Sequence, residues 1–90
     1  MIDDVPTAAE LRQLLVKLLV GAFGGSARQW RSLIGEVEVL PIAFNLRCNW
    51  RVKPAGSAVV REVIGQTVAL VAAEHPYARR DEAASPADTA

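Results

Sequence analysis

Read two residues at a time, the stretch from Asn45 to Lys53 sorts into two sets. Leu46, Cys48, Trp50 and Val52 point one way, and Asn45, Arg47, Asn49, Arg51 and Lys53 point the other. Alternation of period two predicts a strand with one face buried and the other solvated. The dry face needs cover, and the segments before and after it carry the apolar periodicity of helices. Upstream, Leu11, Leu14, Leu15, Leu18 and Ala22 recur at three- and four-residue spacing, and Val16, Leu19, Val20 and Phe23 widen the apolar arc to about 240°. A helix with so broad an arc needs more than one apolar neighbour.

Capping chemistry bounds these helices. Thr7 with Glu10 three residues on is a capping box, in which the hydroxyl and the carboxylate each satisfy a backbone amide that the helix leaves unpaired. Gly24-Gly25 closes the first helix, because glycine adopts left-handed backbone at little steric cost. Ser26 with Gln29 opens a second, shorter helix with Trp30, Leu33 and Ile34 inside and Arg28 and Arg31 outside, ending at Gly35. The two helices form a hairpin with a turn of two or three residues.

Glu36-Val37-Glu38-Val39 alternates with period two, and Pro41 confines this strand to a sheet edge because proline cannot donate to a ladder. Paired antiparallel with the Asn45 to Lys53 strand, it sets Val37 opposite Val52, Val39 opposite Trp50, Glu36 opposite Lys53 and Glu38 opposite Arg51. Apolar pairs then share one side and opposite charges the other, a match that a slip of one residue destroys. Leu40 to Phe44 becomes the connecting loop, with Ile42 and Phe44 free to tuck under the sheet or stay exposed. Ser57 caps a third helix running from about Ala58 to Glu74, which His75-Pro76 ends. Its inner half carries Val59, Val60, Val63, Ile64, Thr67, Leu70 and Val71, and its outer half carries Gly65, Ala69 and Ala73. From Ala78 onward there is no periodicity, and a disordered tail is expected.

Ninety residues allow one domain, which at this size buries only about 60 to 65% of the surface its unfolded chain would expose. The composition, 51% hydrophobic and 6% aromatic, gives an aliphatic core and is that of a globular protein. Formal charge is zero, which argues against strong non-specific attraction to nucleic acid or anionic membrane. The charge is segregated, however: residues 1 to 10 carry net −3, residues 11 to 61 net +6, and residues 62 to 90 net −3. Cys48 is alone, so no intramolecular disulfide forms. The amino terminus lacks the positive flank of a secretory signal, and the apolar run Leu14 to Phe23, broken by Lys17, is shorter than the roughly 20 residues of a spanning helix. A reduced, cytoplasmic protein with no membrane contact is the expectation, and the preference for Arg over Lys points to a bacterial source.

Candidate chemistry is sparse. Cys48 and His75 are the sole members of the one nucleophilic pair the chain offers. Cys48 lies on the dry face, where a thiol is inert, and His75 sits at a helix end favoured by the dipole, so both are read as structural. A structural zinc needs four ligands, usually Cys or His, so no metal is expected, and no cofactor. Asp3, Asp4, Asp81 and Glu82 lie in the chain ends, away from any cleft that would tune an acid or a base. The glycines at 21, 24 and 25 follow a helix, whereas a phosphate-binding loop follows a strand.

These patterns predict a small single α+β domain in the order α-α-β-β-α, its antiparallel two-stranded hairpin covered on one face by helices and completed by dimerisation. An N-terminal arm spans 1–6, the domain 7–77 and the tail 78–90. The expected function is a non-enzymatic, homodimeric protein-interaction module that binds a protein partner through its edge strand or basic hairpin face. Arg47, Asn49, Arg51 and Lys53, with Arg28 and Arg31, are the partner-binding candidates. The alternative is a nucleic-acid-binding regulator, since a two-stranded ribbon fits the major groove and asparagine suits adenine.

Overall fold

Each helix begins where a side chain satisfies its first amides. In the computed structural model, which describes residues 5–80, the first helix, α1 (Ala8–Phe23), starts at the Thr7 capping box: the Thr7 hydroxyl accepts from the Glu10 amide (3.1 Å) and the Glu10 carboxylate accepts from the Thr7 amide (2.9 Å). The second helix, α2 (Ala27–Ile34), is capped by the Ser26 hydroxyl accepting from the Gln29 amide, and the third, α3 (Ala58–Glu74), by Ser57 accepting from the Val60 amide. Gly24 and Gly35 end the first two helices with φ of 80° and 71°, which a side chain would oppose. Trp30 clamps the α1–α2 turn by donating its indole N–H to the Gly24 carbonyl (2.8 Å).

The sheet has two strands, β1 (Glu38–Val39) and β2 (Trp50–Arg51), antiparallel in the expected register: Glu38 faces Arg51 and Val39 faces Trp50. The order α-α-β-β-α of a small α+β domain is therefore observed. The core gathers Leu11, Leu15, Val16 and Leu19 of α1, Ile34 of α2, Val37, Trp50, and Ile64 and Val71 of α3. The broad arc of α1 is shared, since α2 and α3 both pack against it. It is not wholly covered: Leu18 and Phe23 stay exposed.

The nine-residue strand is corrected. Only Trp50 and Arg51 of the Asn45 to Lys53 stretch lie in the ladder. Ile42–Phe44 forms a 3₁₀ turn, and the connection extends to Asn49. Strict alternation fails at two residues: Leu46, assigned to the dry face, is exposed, and Asn49, assigned to the wet face, is 3% exposed. The cause is local. The Asn49 amide group donates to the Leu40 carbonyl (3.1 Å), taking the place of a ladder bond, while its backbone N–H turns instead to Pro76 (3.0 Å). A polar side chain that replaces its own backbone in a ladder points inward, and the pleat is lost on that side of Trp50.

The expected domain limits also move. Ala78, placed in the tail, is buried, and its N–H donates to Asn49 Oδ1 (2.6 Å). Arg79 forms a parallel bridge with Thr7, its N–H donating to the Pro6 carbonyl (3.0 Å) and its carbonyl accepting from the Ala8 N–H (3.1 Å). Val5 and Pro6 before Thr7, and Ala78 and Arg79 after Tyr77, are thus bonded into the packed domain. The remainder of the proposed arm and tail, residues 1–4 and 81–90, lies outside the described residues.

Candidate functional site

The edge of β1 is where backbone and charge meet. Hydrogen-bonded and non-bonded pairs alternate along an antiparallel ladder. Because the Leu40 N–H donates to the Asn49 carbonyl (2.7 Å), Glu38 bonds to Arg51 and the N–H and C=O of Val39 aim away from β2. Among the described residues no further strand pairs on that side.

Three adjoining hollows lead to this segment. The first, about 480 Å³, lies between α1 and α2 with an apolar floor of Val16, Val20 and Ala27 and with Lys17 and Arg31 on its rim. The second, about 400 Å³, shares Gln13 and Arg31 with the first and adds Arg12, Glu36 and Val37. The third, about 310 Å³, shares Glu36 and Val37 with the second and adds Glu38 and Lys53. Their lining carries four cations, Arg12, Lys17, Arg31 and Lys53, against two acids, Glu36 and Glu38. Arg12 is held against the end of α2, with one terminal guanidinium nitrogen donating to the Arg31 carbonyl (3.2 Å). Its Nε is buried and has no hydrogen-bond partner.

The sequence candidates divide on this surface. Arg31 and Lys53 come together around Glu36 and Val37. Arg28 sits one turn from Arg31 on exposed α2 and lines none of these hollows. Arg51 is engaged: its Nε donates to Glu38 Oε1 at 2.7 Å, and that bond, with the charge of the guanidinium, holds the Glu38 carboxyl below the usual carboxylate range. Glu36 and Lys53 share a hollow without closing an ion pair. Arg47 is exposed on the connection beyond the ladder, and Asn49 leaves the group altogether because its side chain is buried.

Cys48 is half-buried against the core, its thiol facing the Trp50 carbonyl (3.4 Å), and His75 caps α3 while its carbonyl accepts the Trp50 indole N–H (2.7 Å). Arg12 and Lys17 were not among the sequence candidates, because Arg12 falls inside the apolar arc of α1, between Leu19 and Phe23, and Lys17 on its polar edge. Their spacing of five residues from each other, on the side that also carries Val16 and Val20, was the available signal. No protein-family model, curated protein or solved structure matches the chain.

Proposed function

We propose that this chain is a small non-enzymatic protein-interaction module that captures an extended, acidic segment of a protein partner along the outer edge of β1. The observation that carries this reading is the unpaired edge at Val39 beside hollows rimmed by Arg12, Arg31 and Lys53. Adding a strand at an open edge obtains affinity from main-chain bonds, and flanking pockets and charges supply selectivity. In the same reading the module is homodimeric. Val59 and Leu70 on α3 are 70% and 69% exposed, and the small side chains of Gly65, Ala69 and Ala73 on the adjoining outer half leave room for a second helix. The nucleic-acid alternative has less support, since Asn49 is buried and Arg51 is engaged with Glu38.

Selection from a displayed library of random peptides tests the edge. The wild-type chain is expected to enrich acidic, strand-forming peptides. Val39→Pro removes an outward N–H that the fold does not use, and should abolish enrichment while far-UV circular dichroism stays unchanged. An Arg31→Glu, Lys53→Glu double variant should shift selection away from acidic sequences. Equal enrichment by all three proteins, or none by the wild type, would remove the reading.

A further inference from the structure

We propose that the turn between β1 and β2 is a docking tip for an anionic lipid bilayer. Ile42, Phe44 and Leu46 are 50%, 85% and 69% exposed, three large apolar side chains at alternate positions on one turn. Scattered apolar exposure is ordinary, but a cluster of this kind marks a contact surface. The cluster is held in place by the fold. The Phe44 N–H donates to the Pro41 carbonyl (3.2 Å), the Asn45 N–H to the Ile42 carbonyl (2.9 Å) and the Asn45 side-chain amide to the Pro41 carbonyl (2.8 Å). The Tyr77 hydroxyl donates to the Leu46 carbonyl, fixing the far end of the turn. These bonds satisfy part of the turn's backbone internally, which lowers the cost of taking it out of water.

Charge selects the occupant. Exposed Arg47 immediately follows the tip, and no acidic residue lies between Val39 and Arg61; of the other bases in that stretch, Arg51 is paired with Glu38 and Lys53 shares a hollow with Glu36 and Glu38. An anionic headgroup layer is complementary to that distribution. A bilayer interface also accepts a convex apolar tip without a matching pocket, with half-exposed Tyr77 and Arg47 at headgroup depth. Among the described residues no helix is long and apolar enough to cross a membrane, so the contact is from one side. The proposal departs from the expectation, drawn from zero net charge, that membranes are not involved.

Vesicle flotation of the full chain is the test. At low salt the protein should float with vesicles of phosphatidylcholine mixed with phosphatidylglycerol and stay behind with phosphatidylcholine alone. A Phe44→Ser, Leu46→Ser variant, whose changes lie at exposed positions, should lose about tenfold or more in binding with its circular dichroism unchanged. Arg47→Glu should weaken binding to the mixed vesicles. Val39→Pro should float like the wild type, which separates this proposal from the strand-edge reading. Absence of flotation with anionic vesicles, or flotation that the double serine variant leaves intact, would overturn it. So would loss of self-association in vesicle-free buffer as the double variant's only defect, since the tip would then be a protein contact.

Discussion

Asn49 connects three stretches that are distant in sequence. Its side chain donates to the Leu40 and Ala78 carbonyls and accepts from the Ala78 N–H, all within a site that is 3% exposed. Removing it strands a buried N–H and two carbonyls, and each unsatisfied buried group costs about 1–3 kcal/mol. Asn49→Ala is therefore expected to destabilise the domain by roughly 2–4 kcal/mol, read as a lower urea midpoint, and each kcal/mol lowers the melting temperature by about 4–8 °C for a domain of this size. Asn49→Ala with unchanged stability would show that the 76–79 segment is held by other contacts. This role was not legible in the sequence. Alternation assigns a polar residue to the wet face by default, and the partners that draw Asn49 inward lie at residue 40 and residue 78. Trp50 was legible because its size and apolarity leave one choice of face, and it is buried.

The elements that could be read in advance are those whose boundaries are set by neighbours in sequence. Thr7 with Glu10, Ser26, Ser57, Gly24, Gly35 and His75-Pro76 start and stop the three helices, and each acts within a few residues of itself. The register of β1 on β2 was likewise fixed by pairing Val39 with Trp50 and Glu38 with Arg51. The connection between the strands was not, because the Tyr77 hydroxyl and Pro76 carbonyl that shape it come from beyond α3. The hairpin carries a pH signature. The Glu38 carboxyl is held low by its bond to Arg51 and by that residue's charge, so its folded pKa lies below its unfolded one. Its contribution is present above the unfolded pKa and is lost as pH falls through the folded value. Urea unfolding followed from neutral to acid pH should show the advantage of wild type over Glu38→Gln shrinking toward zero as the pH drops, and shrinking with added salt even at neutral pH, because both partners are exposed. A constant difference across that range would mean that the carboxylate does not bond Arg51 in solution.

At the scale of the molecule, a chain this short covers its apolar surface incompletely, and in the proposed homodimer a second copy covers part of what is left on α3. The buried stripe of α3 runs through Ile64, Thr67 and Val71, which leaves Val59 and Leu70 on its flank, about three turns apart, with Glu62 and Gln66 between them. A two-fold interface presents the same patch on both partners, so each apolar residue left out on one chain meets the same patch on the other. On the adjoining outer half, Gly65, Ala69 and Ala73 are small side chains that shorten the distance at which two helices can pack. Fully burying one leucine stabilises by about 1.5–3 kcal/mol relative to leaving it in water, and a symmetric contact counts it twice. Light scattering over a concentration series should therefore give a mass rising toward twice the 9.7 kDa of one chain. Leu70→Lys, at a position 69% exposed in the single chain, should hold the mass at one chain without changing the helical signal. A single-chain mass at every concentration for the wild type would mean that α3 faces water. A dimer that survives Leu70→Lys would move the interface to another surface, of which the Leu18 flank of α1 is the next to test.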